Sequence, residues 1–147
     1  MVAYVVDASV AIKWFFQAAN DEDDLELAIA LLRAHQNGEI LFYQPPHFIA
    51  EVAAVLARKK SSDEVRADLS DLLNFDLQGV ENTRVYMTAC DLAIRLNHHL
   101  FDTLYHAVAL HTTETTLITA DYRYFDKAES IGQIIWLRDL KPHLNHP

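Results

Sequence analysis

Four carboxylates occupy positions where the surrounding sequence gives no packing reason for a charge. Asp7 follows a run of five apolar residues, and Asp121 follows a short β-branched stretch. Glu51 is the one ionisable residue in the apolar segment 48–57, and Asp102 precedes another apolar segment. Carboxylates that share a small volume raise one another's pKa until protons or cations enter. If these side chains converge, the group they form suits a hard divalent cation.

Each of the four also has an ordinary structural explanation. A carboxylate on an apolar helix, such as Glu51, faces water, pairs with a base or binds a metal, because burying it alone costs several kcal/mol. Asp7, Asp102 and Asp121 lie where an aspartate commonly caps a helix or closes a turn. The set is more informative than its members, because Asp7 and Asp121 both end predicted strands. Open α/β sheets bind ligands at that edge.

The elements that must position these residues alternate between strands and helices. Apolar and β-branched runs predict strands at Val2–Val6 and at residues 40–43, 84–87, 116–119 and 133–137. Helical spacing and end signals predict helices over 8–16, from the acidic run 21–24 to a stop at Gly38, over 45–60, 65–73 and 89–96, and from residue 102 onward. Parallel crossovers need connections of this length, so the alternation predicts an α/β fold with a parallel sheet between helices.

Strand order decides whether the carboxylates meet. If strands one and four are neighbours, Asp7 and Asp121 converge, and helix starts near the same edge can add Glu51 and Asp102. Mg²⁺ or Mn²⁺ is the natural ligand, because these ions prefer oxygen donors. Two such ions about 3.5–4 Å apart can clamp a phosphodiester and activate water. The pattern therefore predicts metal-dependent phosphoester chemistry.

Composition and charge restrict the partners. The chain has 147 residues and a formal charge of −9, from 12 Lys+Arg against 21 Asp+Glu. We expect one domain over residues 1–140 and a loosely held tail over 141–147. The charge disfavours nucleic-acid binding unless cations or a basic strip offset it, and the best basic candidates are the triplet 58–60 and Arg123.

The same sequence indicates a cytoplasmic protein. The single cysteine, Cys90, excludes an internal disulfide and a multi-thiolate zinc site, and it fits a reducing compartment. No apolar run approaches the ~20 residues of a membrane helix. The apolar beginning of the chain has no basic leader and carries Asp7, unlike a signal peptide.

Two segments in the first half of the chain resemble motifs of the PIN-domain family, and in particular of its VapC-type toxin ribonucleases. VVDASVAIKWFF is similar to the first motif, an apolar strand that ends in Asp followed by a small residue and Ser or Thr, here Asp7, Ala8 and Ser9. QPPHFIAEVAAVL is similar to the second, a helix started by proline that carries Glu51. Many relatives have Asn three residues after this glutamate, where this chain has Ala54.

Two segments in the second half extend the resemblance over nearly the whole chain. LFDTLYHAVAL resembles the third motif through Asp102, Tyr105, Ala107 and Ala109. TLITADYRYFDKA resembles the fourth through Thr119 and Asp121. The four motifs occur in the family's order and in the expected strand and helix contexts.

The resemblance implies a compact α/β/α domain with a five-stranded parallel sheet and a Mg²⁺- or Mn²⁺-dependent endoribonuclease activity. Asp7, Glu51, Asp102 and Asp121 would form the acidic metal site. Thr119 and Ser9 would orient a ligand or water. Toxins of this type commonly form homodimers and are held inactive by a small antitoxin that covers the acidic groove.

Other enzyme classes fit less well. A haloacid-dehalogenase-type phosphatase needs a second Asp two positions after Asp7, where Ser9 stands. A histidine metal site would combine His98, His99 and His106 with Asp102, but the adjacent His-Asp pair of metal phosphohydrolases is absent.

Two alternatives to a nuclease stay open. A PIN-like module that binds a partner without cutting is one, because Ala54 departs from the common pattern. A metal-dependent phosphatase is the other, because the same ions act on other phosphoesters. The four acidic positions are intact, and this favours the nuclease.

Overall fold

A parallel five-stranded sheet forms the centre of the fold. The structure is a computed structural model, and it describes residues 2–17 and 24–140. The strands are β1 (Val2–Val6), β2 (Ile40–Gln44), β3 (Leu77–Gly79), β4 (Thr115–Thr119) and β5 (Ile134–Trp136), and they lie in the order β3-β2-β1-β4-β5. Every neighbouring pair is parallel. The predicted α/β class with a five-stranded parallel sheet is confirmed.

Helices make the connections between strands. They are α1 (Ala8–Trp14), α2 (Leu25–Gln36), α3 (Phe48–Lys59), α4 (Ser62–Leu73), α5 (Thr83–Leu96), α6 (Leu100–Leu110) and α7 (Tyr122–Ala128). Two 3₁₀ turns, Glu129–Ile131 and Leu137–Asp139, flank β5. Helix α6 packs on β1, β2 and β4 and also along α5. Within the described residues, no helix combines the length and the apolarity needed to cross a membrane.

Strand β1 lies at the middle of the sheet because its residues are apolar on both faces. Tyr4, Val5 and Val6 are buried, as is typical of a central strand in a parallel sheet. Val6 pairs in register with Ile118 of β4, and the Asp7 N–H donates to the Ile118 carbonyl at 3.3 Å. Strands one and four are therefore neighbours, a point the sequence analysis left open, and Asp7 lies beside the carboxyl end of β4.

The third strand is not where the sequence predicted it. Residues 84–87 lie in α5, whose cap Asn82 accepts the Val85 N–H at 3.0 Å. Val85, Ala89 and Leu92 are buried at helical spacing, so the segment packs as a helix. The strand in that place is β3, whose three residues at the sheet edge are too few to give a periodic signal.

Two predicted segments lie outside the described residues. They are residues 21–23 of the acidic run and the tail 141–147. The division into a domain and a tail therefore stays a prediction.

Candidate active site

Asp7 leaves the sheet at the end of β1 and caps α1. Its Oδ1 accepts the Ser9 N–H at 3.0 Å and also the Ser9 hydroxyl. Its Oδ2 accepts the Thr119 hydroxyl at 2.5 Å. The predicted roles of Ser9 and Thr119 were contacts to a ligand or water, and the structure places both hydroxyls on Asp7. They fix the carboxylate where β1 and β4 end.

The charge on Asp7 is poorly stabilised by the protein. The side chain is buried, with 8% of the residue exposed. Its pKa is raised to about 7, mainly by burial and to a smaller extent by the nearby Asp102 and Asp121, while hydrogen bonds from Ser9 and Thr119 oppose the shift. At neutral pH the carboxylate therefore needs a proton or a cation.

Asp121 follows β4 and caps α7. Its Oδ1 accepts the N–H groups of Arg123 at 3.0 Å and Tyr124 at 3.4 Å. Its own N–H donates to the Thr119 hydroxyl at 3.0 Å, the same hydroxyl that binds Asp7. The ordinary capping role of Asp121 is thus present, and the same turn ties it to Asp7.

Asp102 has no capping role. It is the third residue of α6, whose cap is His99, and no side-chain cap hydrogen bond is present there. Its Oδ2 lies 2.7 Å from the Nε2 of His98. One ligand-type atom each from His98, Asp102 and Asp121 lies within 4.8 Å of the others. The ordinary explanation fails for Asp102, and the side chain instead joins a group that could hold a metal ion.

Glu51 is not a member of that group and has partners of its own. It lies in the first turn of α3, and its Oε1 accepts the Tyr105 hydroxyl at 2.5 Å and lies 3.3 Å from the His47 Nε2. Burial raises the pKa of Glu51, but the hydrogen bonds from His47 and Tyr105 outweigh burial and the net shift is downward. The pKa of Tyr105 is raised by burial and then by Glu51, Asp7 and Asp102, so this hydroxyl is within electrostatic range of all three carboxylates.

A cleft of about 520 Å³ opens beside Asp102 and Asp121. Its lining residues are Asn97, His98, His99, Asp102, Asp121, Arg123 and Lys127. Two basic and two acidic side chains therefore line the same cleft, which is open to solvent. The predicted basic residue Arg123 lies here. The triplet 58–60 does not line this cleft, and its Lys60 is bonded to Asp68 at 2.6 Å and to the Phe15 carbonyl.

The sequence analysis grouped the histidines into one possible metal site and did not distinguish their roles. His98 joins the acidic group, whereas His106 is buried and bonded to the Tyr124 hydroxyl and the Gly132 carbonyl, each at 2.8 Å. His98 lies just before α6 and four residues before Asp102, and this short separation was the available signal. Nothing in the sequence pointed to Lys127.

The donor set fits a divalent cation. The site combines the paired carboxylates of Asp102 and Asp121 with the buried carboxylate of Asp7, whose pKa is raised by burial and by those two neighbours. Carboxylate oxygens are the ligands that Mg²⁺ and Mn²⁺ prefer.

Sequence comparison gives the family. The PIN domain model matches residues 4–130. The chain belongs to the PIN domain family. The predicted family is confirmed. Among curated proteins, none matches the chain.

Solved structures share the fold of this PIN domain. VapBC-1 from nontypeable Haemophilus influenzae is 14% identical with a TM-score of 0.65, over 94% of this chain and 100% of that chain. VapBC2 from Rickettsia felis, bound to a DNA fragment from their promoter, is 15% identical with a TM-score of 0.64, over 92% and 97%. VapC20 from Mycobacterium tuberculosis, a sarcin-ricin loop cleaving toxin, is 13% identical with a TM-score of 0.60, over 80% and 87%. At these identities the likeness concerns the fold.

Proposed function

We propose that this PIN domain is a metal-dependent endoribonuclease and the toxin of a toxin–antitoxin pair. One observation carries the proposal. Asp102 and Asp121 lie together within 4.8 Å, in a group that also includes His98, and their charges act on the buried Asp7 at the carboxyl end of β1, whose pKa is raised to about 7. Such a group is costly to maintain without a cation.

Asp7, Asp102 and Asp121 would hold Mg²⁺ or Mn²⁺, and Glu51 is the fourth carboxylate proposed for the site. The bound ion would supply a water activated for attack and a counter-charge for the developing oxyanion. The protein's own contribution is positional. The hydroxyls of Ser9 and Thr119 keep the buried carboxylate of Asp7 in one orientation.

The basic side of the cleft supports an anionic polymer as substrate. The Arg123 guanidinium has no hydrogen-bond or ion-pair partner among residues 2–17 and 24–140, and it lines the cleft next to Asp121. Lys127 lines the same cleft. Phosphate contacts supply most of the sequence-independent affinity for nucleic acid, so a chain of charge −9 needs its cations concentrated at this point.

The similar structures support the biological class. One of them is a toxin that cleaves the sarcin-ricin loop, and two are VapBC structures. We therefore propose RNA as the substrate and a small antitoxin protein as a partner in the cytoplasm. The homodimer implied by the family resemblance is also a proposal, which light scattering on the purified chain tests.

The test incubates the purified chain, freed of any antitoxin, with total cellular RNA in Mg²⁺, in Mn²⁺ and in EDTA. Asp121→Asn removes one carboxylate from the site, and Asp63→Asn removes an exposed carboxylate from α4 as a matched control. We expect discrete cuts that need the metal, persist in Asp63→Asn and disappear in Asp121→Asn. Mapping the cut ends identifies the RNA.

Two results would overturn the proposal. Cleavage that survives EDTA would exclude the metal mechanism. A folded chain that binds Mn²⁺ but leaves all RNA intact would favour another phosphoester substrate, checked with small phosphate esters, or a module that binds a partner without cutting.

A further inference from the structure

We infer that Lys127 and His98 form a hydrogen-bonded strut that holds Asp102 beside Asp121, which makes His98 a positioning residue of the site. The inference rests on the proposed function, because it concerns the carboxylates that would bind the cation. It goes beyond the four acidic residues because it identifies the contacts that set the distance between Asp102 and Asp121.

His98 is fixed on three sides. Its side chain is only 7% exposed. The ring packs edge-on against Tyr124, with 4.9 Å between ring centroids and 63° between planes. The Nε2 lies 2.7 Å from Asp102 Oδ2, and the Nδ1 lies 3.2 Å from the Lys127 Nζ. An imidazole held in this way has one orientation, and both of its nitrogens are engaged.

The partners determine where the imidazole proton lies. A lysine ammonium has three donors and no acceptor, so the His98 Nδ1 must accept from Lys127. The Nε2 then carries the hydrogen and donates to Asp102. A nitrogen that carries a hydrogen has no lone pair for a metal ion. His98 is close enough to be a ligand, but this arrangement assigns it to orienting a ligand instead.

The strut joins the two helices that carry the paired carboxylates. Asp121 caps α7 and Lys127 lies in its last turn, whereas Asp102 lies in the first turn of α6. Lys127 also donates to the Asn97 carbonyl at 2.9 Å. Asn97 ends α5 in the left-handed conformation, at φ 49° and ψ 58°, a conformation that asparagine tolerates better than most residues. This turn presents the Asn97 carbonyl and the His98 ring to α7.

The strut opposes a repulsion. As anions, Asp102 and Asp121 favour a larger separation, and the Asp102 side chain is 32% exposed and has solvent to turn into. The hydrogen bond from His98 holds it in place before any cation arrives. Removing such a partner of a metal-binding carboxylate typically lowers metal affinity about 10–100-fold.

The test measures the Mn²⁺ affinity of the full chain from the EPR signal of the free ion. In His98→Phe a ring of similar shape stays against Tyr124, but the donor is lost. In His98→Gln an amide N–H takes the place of the Nε2–H. We expect His98→Phe to bind Mn²⁺ about 10–100-fold more weakly and His98→Gln to recover a large part of that loss. Thermal melting verifies that both variants fold.

Two further measurements separate positioning from direct ligation. Pulsed EPR of the Mn²⁺-loaded wild-type chain is expected to detect no directly bound nitrogen. Lys127→Met is expected to bind Mn²⁺ more weakly than Arg123→Met, which removes the same charge from the cleft but leaves the strut intact.

The outcomes distinguish this inference from the proposed function. A bound nitrogen that disappears in His98→Phe would assign His98 as a ligand and overturn the inference. Wild-type affinity in a folded His98→Phe would also overturn it, while the proposed metal site would stand. A wild-type chain that binds no Mn²⁺ would overturn the metal site and the strut's role in it together.

Discussion

Glu51 and Asp7 are both carboxylates on apolar elements, but their surroundings affect the charge in opposite directions. Glu51 receives hydrogen bonds from Tyr105 and His47, and its pKa lies below the ordinary value despite burial. Asp7 receives two hydroxyl hydrogen bonds, yet burial and the neighbouring carboxylates raise its pKa to about 7. The protein stabilises the first charge by itself, whereas the second needs a proton or a cation.

The difference follows from where the chain places each residue. Glu51 projects from α3 toward α6, where Tyr105 offers a donor. Asp7 lies where β1 and β4 end together, an edge at which several segments bring further carboxylates. The edge therefore collects several carboxylates, whereas Glu51, between α3 and α6, has two hydrogen-bond donors of its own. This contrast identifies Asp7 as the carboxylate on which metal dependence should be tested first.

Asp7→Asn is expected to have the largest effect. RNA cleavage should fall by about 10³-fold or more, roughly 4 kcal/mol of transition-state stabilisation. Asparagine keeps the size of the side chain and an oxygen that can accept the Ser9 N–H, so the fold should persist. Cleavage assays with thermal melting of the same preparations check both points. Unchanged cleavage by a folded variant would contradict a catalytic role for Asp7.

The stability of the metal-free chain is expected to fall as the pH rises from about 4 to about 7. The folded state keeps the Asp7 proton up to a pH of about 7, whereas the ordinary pKa is 3.8. In this window the folded state binds more protons, so the free energy of unfolding decreases with pH. The contribution of the Asp7 proton to the free energy of unfolding is fully present below about pH 4 and is lost by about pH 7. The total loss is on the order of 4 kcal/mol.

Denaturant unfolding in EDTA between pH 4 and pH 8 measures this effect. Asp7→Asn is the control, because it keeps every other titrating group, and its stability should exceed that of the wild type increasingly as the pH rises. Saturating Mn²⁺ should reduce the difference at pH 8 by replacing the proton with a cation. Parallel pH profiles for the two proteins would contradict the raised pKa of Asp7.

The position of Asp7 in this comparison could be predicted from the sequence, because it depends on where the strands end. The apolar run of β1 and the β-branched run of β4 placed Asp7 and Asp121 at one edge, and the strand order, which the sequence left open, made the two strands neighbours. The third strand was predicted wrongly, because β3 is too short for a pattern and the β-branched and aromatic residues of 84–87 belong to a capped helix.

The partners of the carboxylates could not be predicted in the same way. Tyr105 reaches Glu51 across 54 positions of sequence, and Lys127 reaches His98 across 29. Both contacts depend on how helices pack, and the second also needs the left-handed turn at Asn97. Helical periodicity shows which face of a helix is buried, but it does not show which polar atom lies opposite.

Tyr105→Phe is expected to weaken the difference between Glu51 and Asp7. It removes the 2.5 Å hydrogen bond to Glu51 and keeps the ring, so the cost is that of a hydrogen bond to a charged group, about 1.5–3 kcal/mol of unfolding free energy. The pKa of Glu51 should rise, which makes the loss largest at neutral pH and smaller as Glu51 becomes protonated in acid. Urea unfolding at pH 7 and pH 4 measures the loss, and equal losses at both would contradict a hydrogen bond that stabilises the charge of Glu51.

Thr119→Val is expected to have the smallest effect on stability and to increase the pKa difference between Asp7 and Glu51. Valine keeps the shape of threonine but removes the hydroxyl that donates to Asp7 and accepts the Asp121 N–H. Stability should fall by about 1–2 kcal/mol, and the pKa of Asp7 should rise further, so protons compete better with Mn²⁺ at pH 7.

Thr119→Ser is the matched control, because it restores the hydroxyl and should restore the Mn²⁺ affinity. The comparison is made by Mn²⁺ titration at pH 7 and pH 8.5, where the deficit of Thr119→Val should shrink as the competing proton is lost. A deficit that does not change with pH would mean that the hydroxyl only sets the position of Asp7. The opposite pKa shifts of Asp7 and Glu51 would then arise from burial and neighbouring charges. The number of hydrogen bonds that each carboxylate accepts would not contribute.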